Sequence, residues 1–312
     1  MDEALRAAIK AMTNPAILVE DLSFSWPERA PLFEGLSFDI EAGEAFAVVG
    51  ASGSGKSSLL ALLAGLERPA SGRILVDGQA LERPRPRTGL VLQDHGLLPW
   101  ATIRDNVSLG SRLRRFYGPD GRHAPTAAGS AADMERPADG VGAFSVDATN
   151  ADDRSVEGWL ERLGIASIAD AWPARVSGGQ RQRAAIARSL ALEPDLLLMD
   201  EAFASLDEAT REDLRTLTLE IMQERGMTLV FVTHSIDEAL IVGDRILLLQ
   251  GSGGSAGDGD GHARAAMPTS SSGGTRKSGA PTPFRLFNNP RGEAGKRGEL
   301  KARLRAALGA SL

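Results

Sequence analysis

Residues 50–57 read Gly50-Ala51-Ser52-Gly53-Ser54-Gly55-Lys56-Ser57. This stretch fits the pattern G-x-x-x-x-G-K-[ST] at every fixed position, and it lies between a strand-like run at Ala45–Val49 and a helix-like run at Ser58–Ala64. Glycines allow a tight turn whose backbone N–H groups point inward, and a helix starting there adds partial positive charge. The stretch therefore predicts a phosphate-binding loop rather than a merely flexible loop.

Two side chains of this loop carry the expected chemistry. Lys56 is long enough to reach the β- and γ-phosphates of a nucleotide, and the Ser57 hydroxyl is a suitable ligand for Mg²⁺. A dinucleotide-binding G-x-G-x-x-G does not fit, because the residue three positions after Gly55 is Ser58. The loop therefore predicts that the chain binds the phosphates of a nucleotide together with Mg²⁺.

Composition narrows the class of protein. The chain has 312 residues, enough for about two domains, and 35 Lys and Arg against 41 Asp and Glu give a net charge of −6. This acidic balance argues against nucleic acid as the main partner. The absence of cysteine excludes disulfides, thiolate metal sites and a cysteine nucleophile. No apolar run reaches the ~18 residues of a membrane span, and the acidic start at Met1 lacks a secretory pattern, so we expect a cytoplasmic protein.

Two segments have a biased composition. Residues 118–153 contain many Asp, Ala, Gly and Pro residues, and residues 251–283 are rich in Gly and Ser. Neither segment has enough apolar side chains to offset the entropy of ordering it, so we expect both to be flexible. The segment 1–16 is interpreted as an N-terminal extension with helical composition over Asp2–Met12.

Short runs rich in β-formers predict strands at Ile17–Ser23, Ser37–Ile40, Ala45–Val49, Arg73–Val76, Gly89–Leu92, Leu196–Asp200, Thr228–Thr233 and Arg245–Leu249. Helices are predicted at Lys56–Gly65, Val156–Leu163, Gly179–Leu192, Glu208–Arg225 and Ile236–Val242. The later strands include nearly continuous apolar runs, which are typical of parallel strands buried on both faces. Because the early strands are separated by turns too short for helices, they predict an antiparallel subsheet within an α/β protein.

An acidic pair ends one of the apolar strands. Asp200 and Glu201 follow Leu196–Met199, so they are expected at the carboxyl edge of the sheet, where ligands bind. Asp200 is expected to hold Mg²⁺, and Glu201 to orient or deprotonate an attacking water. Alone, such a pair is usually just a strand meeting its loop. The phosphate-binding loop upstream favours the functional interpretation.

A third motif precedes a predicted helix. It reads Ser177-Gly178-Gly179-Gln180. The serine is a suitable N-cap, and a capped, glycine-rich helix N-terminus is also an anion site. The structural and the functional interpretations are compatible.

Taken together, these motifs resemble those of the nucleotide-binding subunits of ABC transporters. In chain order they are Walker A (Gly50–Ser57), the Q-loop residue Gln93, the signature Ser177–Gln180, Walker B (Asp200-Glu201), the D-loop Ser205-Leu206-Asp207 and the switch histidine His234. The resemblance implies a P-loop NTPase (RecA-like) core over residues 17–250, with an antiparallel β subdomain and a helical subdomain at about 94–190. Residues 284–312 would form a C-terminal tail, with a short helix at Glu299–Leu308.

The resemblance also implies roles for these residues. Two subunits would pair head to tail, and each ATP would lie between one Walker A loop and the partner's Ser177, Gly178, Gly179 and Gln180. Nucleotide contacts would come from Trp26, stacked on adenine, and from Gly50, Ala51, Ser52, Gly53, Ser54, Gly55, Lys56, Ser57 and Ser58. Phe24 is an alternative to Trp26 for the adenine. Mg²⁺ would be held by Ser57, Gln93 and Asp200, catalysis would use Lys56, Gln93, Glu201 and His234, and Asp207 would line the dimer seam.

Residues 93–107 resemble the nitrate/sulfonate/taurine group of importers, through Leu-Leu-Pro-Trp at 97–100 and Asp-Asn-Val at 105–107. This surface would receive two transmembrane permease subunits at the cytoplasmic face of the inner membrane, and a periplasmic solute-binding protein would act indirectly. The alternative is that Leu97, Leu98 and Trp100 are core residues. Val176, Ser205 and Ser235 depart from the usual residues of the motifs, and none of them removes a catalytic group.

Two other functions remain to be weighed. A soluble ABC ATPase acting on nucleic acid or ribosomes would usually carry a coiled coil or two nucleotide domains, and neither feature is present in this sequence. A P-loop kinase would not need the signature Ser177–Gln180. Both are less consistent with the sequence than a transport ATPase.

Overall fold

The computed structural model describes residues 15–29, 31–116, 150–250, 284–290 and 294–309. The expectations for Asp2–Met12, for 118–149 of the first biased segment and for 251–283 lie outside these residues. None of the helices in the described ranges combines the length and the apolar character that a bilayer span requires.

The strands are β1 (Ile17–Phe24), β2 (Phe33–Ile40), β3 (Ala45–Gly50), β4 (Ser71–Val76), β5 (Gln79–Ala80), β6 (Thr88–Val91), β7 (Leu196–Asp200), β8 (Thr228–Thr233), β9 (Arg245–Leu249) and β10 (Phe284–Asn288). The α-helices are α1 (Lys56–Leu63), α2 (Ile103–Phe116), α3 (Asn150–Arg162), α4 (Gly178–Leu190), α5 (Glu208–Arg225), α6 (Ile236–Val242) and α7 (Ala294–Gly309). Two short 3₁₀ helices lie between α3 and α4, at Ala166–Ile168 and Pro173–Arg175.

The larger sheet has the strand order β10-β9-β3-β8-β7-β6. The five strands from β9 to β6 run parallel, and β10 is antiparallel to β9. Every residue of β3, β7 and β8 is buried. Their apolar runs therefore suit strands covered by helices on both faces, as the sequence predicted.

The smaller sheet is antiparallel, with the order β2-β1-β4-β5. The prediction of an antiparallel subsheet from the early strands is confirmed for β1, β2 and β4, whereas β3 joins the parallel sheet instead. Strand β2 begins at Phe33, four residues before the predicted start at Ser37, because Phe33 and Leu36 pair with Phe24 and Leu22 of β1. Together with the parallel sheet and its helices, this arrangement confirms the predicted fold class.

A helical layer connects β6 to β7. Helix α2 was not predicted, since its apolar residues are interrupted by polar residues and Gly110. The glycine allows α2 to approach α4 closely, because a Cβ at Gly110 would lie 2.3 Å from the carbonyl oxygen of Arg188. Helix α3 begins at Asn150, so residues 150–153 are helical and the expected flexible segment extended too far. Buried Trp159 and Leu160 anchor this helix in the core.

The C-terminal part packs against the parallel sheet. Strand β10, which the sequence did not indicate, pairs with all of β9. Helix α7 is longer than predicted and buries Leu300 and Leu304 beside Leu240 of α6. The Arg297 guanidinium donates a hydrogen bond to the Leu240 carbonyl at 2.6 Å, so the tail is tied to α6 by polar contacts as well.

Candidate functional site

The phosphate-binding loop has the backbone shape that its glycines predict. It connects β3 to α1, and Gly53 and Gly55 adopt left-handed φ angles of 80° and 93°. A Cβ at Gly55 would also approach the ring of Phe33 to 2.8 Å. A side chain at this position would therefore be strained by both its backbone and its neighbour.

Lys56 lies at the centre of this loop. It is buried, and its ammonium group donates hydrogen bonds to the carbonyls of Gly50 and Ala51, both at 3.0 Å. Burial lowers the pKa of Lys56, and the nearby charges of Glu201 and Asp200 oppose this shift. No side chain caps α1, and no acidic residue occupies its first turn. The positive end of α1 and the Lys56 ammonium therefore act together on an anion.

Asp200 ends β7 and faces the same loop. The Oδ1 atom of its carboxylate is buried without a hydrogen-bond partner. Burial is the main cause that raises the pKa of Asp200, and the nearby Ser57 side chain opposes this shift. A buried carboxylate oxygen with no partner, next to a hydroxyl, fits a hard cation such as Mg²⁺, which prefers oxygen ligands.

Glu201 and His234 meet beyond the ends of β7 and β8. The Nδ1 atom of His234 lies 3.4 Å from Oε2 of Glu201. The backbone of Glu201 has a φ angle of 45°, and its N–H donates to the carbonyl of Val232 at 2.9 Å. A non-glycine residue in this region is strained, and such strain clusters at functional sites. The sequence named both residues but did not indicate their contact.

One cavity of about 550 Å³ brings most of the predicted nucleotide residues together. Its lining consists of Trp26, Arg29, Leu32, Ser52, Gly53, Gly55, Lys56, Ser57, Ser58, Gln93 and Glu201. A larger groove of about 1050 Å³ lies on the face of the antiparallel sheet, but it contains none of the predicted site residues. We therefore place the candidate site in the smaller cavity, where the phosphate-binding chemistry lies.

Trp26 is oriented by its neighbours. Its indole N–H donates to the hydroxyl of Ser58 at 3.1 Å, and its ring meets Phe24 edge to face with 5.2 Å between centroids. Phe24 is 5% exposed and belongs to the core, so it does not fit the adenine role that the sequence left open. Arg29 and Leu32 also line this end of the cavity, and their nearness to Trp26 in sequence is the signal that could have indicated them.

The signature motif lies apart from this cavity. Ser177 caps α4 in a reciprocal arrangement, in which its hydroxyl accepts from the Gln180 N–H and the Gln180 side chain accepts from the Ser177 N–H. None of the residues 177–180 is among the residues lining the cavity. A Cβ at Gly179 would lie 3.1 Å from Thr210 at the start of α5, so the motif borders the D-loop.

Asp207 is the N-cap of α5. Its carboxylate caps α5 by accepting a hydrogen bond from the N–H of Thr210 at 3.0 Å. Hydrogen bonds from Thr210 lower the pKa of Asp207. The residue is nevertheless exposed, as a seam residue must be.

The segment after Gln93 is held by a residue that the sequence did not single out. The Arg188 guanidinium donates to the carbonyls of Gly96 and His95 at 2.6 Å and 3.0 Å. Burial lowers the pKa of Arg188, and the charge of Asp94 opposes the shift. Beyond this clamp Trp100 is 70% exposed, so the interpretation of Trp100 as a core residue is wrong.

The neighbouring leucines are intermediate. Leu97 and Leu98 are half-buried, and Leu97 packs against the helical core. The backbone N–H of Ile103 donates to the carbonyl of Ala171 at 2.9 Å, which joins this segment to the one that carries Trp172. Trp172 is itself 43% exposed.

Comparisons with known proteins agree with this geometry. The sequence profile described as "ABC transporter" matches residues 33–204. The taurine import ATP-binding protein TauB of Pseudomonas aeruginosa is 37% identical over 238 residues, covering 75% of this chain and 79% of the relative. The aliphatic sulfonates import ATP-binding protein SsuB 2 of Burkholderia cenocepacia is 39% identical over 218 residues, with coverages of 70% and 68%. A dimeric ATP-binding cassette in a post-hydrolysis state, bound to ADP and Pi, is 25% identical with a TM-score of 0.60, with coverages of 75% and 94%.

Proposed function

Because this chain belongs to the ABC transporter family, we propose that it is the ATP-hydrolysing subunit of an importer for a small solute of the nitrate/sulfonate/taurine type. The observation that carries the proposal is the single cavity in which Trp26, the loop with Lys56, Gln93 and Glu201 lie together. In this proposal residues 17–250 form the nucleotide-binding domain, with a helical part at about 94–190.

The cavity suits ATP from end to end. Trp26 offers an aromatic face to the adenine, and the backbone N–H groups of the loop, with Lys56, bind the phosphates. Ser57, Gln93 and Asp200 would hold Mg²⁺, which supplies positive charge to the phosphate oxygens when bound. Glu201 accepts the proton of the attacking water, and His234 stabilises the γ-phosphate and that water.

A second copy of the chain completes the site. Residues 177–180 do not line the cavity that contains Lys56. We therefore assign the signature to the nucleotide bound by the other copy. In a head-to-tail homodimer, Ser177, Gly178, Gly179 and Gln180 of one copy close over the γ-phosphate bound to the other, and Asp207 lies at the seam. The similar ATP-binding cassette that is dimeric with ADP and Pi bound supports dimer formation.

The exposed apolar residues suit a membrane partner. Trp100 is 70% exposed and Leu92 is 40% exposed, next to the Gln93 segment that reports on the nucleotide. We place the contact with two permease subunits here, at the cytoplasmic face of the inner membrane. A periplasmic solute-binding protein would then take part indirectly.

Reconstitution with the cognate permease subunits tests this function. The complex is expected to release phosphate from Mg-ATP into water and to accumulate a labelled sulfonate such as taurine inside vesicles. Phosphate transfer to an organic acceptor would instead indicate a kinase. Hydrolysis without binding to any permease would favour the soluble ABC ATPase that acts on nucleic acid or ribosomes.

A further inference from the structure

Two loops carry the groups that meet at the γ-phosphate end of the site. The loop 201–207 follows β7 and begins with Glu201, and the two-residue connection 234–235, here called the His234 loop, follows β8 and begins with His234. Each loop lies at the carboxyl end of its own strand, so the backbone of the sheet alone does not fix the 3.4 Å distance between the two side chains. The structure contains a second, buried connection between these loops.

Glu238 of α6 organises the His234 loop. Its Oε2 atom accepts a hydrogen bond from the Thr233 hydroxyl at 2.5 Å, and the N–H of Ser235 donates to the same hydroxyl at 3.0 Å. The Glu238 N–H in turn donates to the Ser235 hydroxyl at 3.3 Å. The Glu238 side chain is only 11% exposed. Both neighbours of His234 are therefore tied to this one carboxylate or to its backbone.

Arg211 of α5 organises the Glu201 loop. Its guanidinium donates to the carbonyl oxygens of Leu206 at 2.5 Å and Phe203 at 3.2 Å. The Nε atom of Arg211 also lies 3.6 Å from Oε1 of Glu238. One oxygen of the Glu238 carboxylate thus accepts a hydrogen bond from Thr233, and the other lies at ion-pair distance from Arg211. Arg211 also donates a hydrogen bond to the Glu208 carboxylate at 2.6 Å, so its planar guanidinium fork faces two glutamates as well as the carbonyls of the Glu201 loop.

We propose that Arg211 and Glu238 are positioning residues that fix the Glu201 loop and the His234 loop relative to each other, so that both side chains are correctly placed for hydrolysis. This inference rests on the proposed function, since it takes Glu201 and His234 as the groups that act on water and γ-phosphate. Neither Arg211 nor Glu238 lines the nucleotide cavity, so both act through the loops. Misplacing a catalytic group by about 1 Å can cost ~10²-fold in rate.

The test compares steady-state ATP hydrolysis by the full chain and its variants, at protein concentrations that allow dimers to form. Glu238→Gln keeps the shape of the side chain and removes its charge, and Arg211→Ala removes the fork. In both variants we expect kcat to fall by about 10- to 10²-fold, with the KM for ATP changed by less than about twofold. The double variant should lose little more than the worse single variant, because the two residues act as one unit.

Arg162→Ala is the matched control. Arg162, the last residue of α3, is an exposed arginine paired with Glu224 of α5, and it belongs to neither loop. Its kcat should stay within about twofold of that of the wild type, with only a small loss of melting temperature, because an exposed ion pair contributes little to stability. Arg211→Lys is a second variant that retains a charge for Glu238 and loses the fork, and we expect it to show an intermediate kcat.

Three results decide the matter. If kcat stays within about twofold of the wild type in both Glu238→Gln and Arg211→Ala, the inference is overturned. It is also overturned if kcat and KM change together in proportion to lost melting temperature, or if the effects of the two substitutions on kcat multiply in the double variant. Glu201→Gln, measured in parallel, keeps the two proposals apart. Wild-type turnover in Glu201→Gln would refute the catalytic site itself, whereas an inactive Glu201→Gln with unaffected Arg211 and Glu238 variants would refute only the positioning role.

Discussion

Replacement of Glu201 by glutamine should convert the protein into a trapped, ATP-bound dimer. Glu201 follows Asp200 at the end of β7, and its carboxylate lines the nucleotide cavity 3.4 Å from the His234 imidazole. Glutamine has nearly the same shape as glutamate, and it tolerates the left-handed backbone at position 201 equally well. The fold and the loop with Lys56 should therefore be preserved.

The size of the effect follows from the loss of a general base. A glutamine amide cannot accept the proton of the attacking water, which typically costs ~10²–10⁴ in rate, or about 2.7–5.4 kcal/mol of activation free energy. Nucleotide binding should not suffer. Burial raises the pKa of Asp200, and the charge of Glu201 adds to that rise. Without that charge the Asp200 carboxylate ionises more readily, and Lys56 and the backbone N–H groups of the loop are unchanged.

Two measurements check the prediction, namely phosphate release under saturating Mg-ATP and the size distribution in gel filtration with ATP and Mg²⁺ in the running buffer. High protein concentration is needed, because the isolated subunit has no permease to hold two copies together. Glu193→Gln is the matched control, since Glu193 is another glutamate with a left-handed φ angle, 49°, and it lies outside the cavity. The control should hydrolyse ATP at the wild-type rate and should not accumulate as a dimer.

Two outcomes would count against this reasoning. Turnover at the wild-type rate in Glu201→Gln would remove Glu201 from the role of general base. Slow turnover without any ATP-dependent dimer would leave that role intact and would refute the head-to-tail sandwich built on Ser177–Gln180.

Three further predictions concern separate parts of the molecule. Lys56→Ala should weaken ATP binding about 10- to 10²-fold, the usual value of a charge-assisted hydrogen bond, while the melting temperature changes little. Calorimetric titration measures the ATP affinity and thermal melts measure the stability. An unchanged ATP affinity would contradict the placement of the nucleotide at Lys56. Asp207→Ala should lower the melting temperature by removing the α5 cap. Because hydrogen bonds from Thr210 depress the folded pKa of Asp207, the difference in melting temperature between wild type and variant should be complete above about pH 4 and should shrink as the pH falls through the folded pKa. A difference that does not change with pH would refute the charged cap. Trp100→Ser should reduce co-purification with the permease without slowing ATP hydrolysis. Leu66→Ser, a control at a 57% exposed site, should leave both co-purification and ATP hydrolysis unchanged. Equal loss of co-purification in the two variants would refute the docking role of Trp100.

Local sequence determined much of this protein. The spacing of glycines around Lys56 specifies the turn of the phosphate-binding loop, because that turn needs left-handed backbone at particular positions. The apolar run Leu196–Met199 specifies a doubly buried strand, and Ser177 with Gln180 specifies the start of α4. In each case the physical cause lies within a few residues of the pattern, so the pattern alone was sufficient.

Contacts between distant segments were decided only by the tertiary structure. Residues Phe284–Asn288 form β10 because they pair with the edge of β9, and the sequence of those five residues alone does not predict that pairing. The approach of Glu201 to His234, and the fork of Arg211 that reaches Glu238, depend on β7 and β8 being neighbours in the sheet. Strand order is set by the burial of all the strands at once, which is a property of the whole core and is not encoded in any single stretch of sequence.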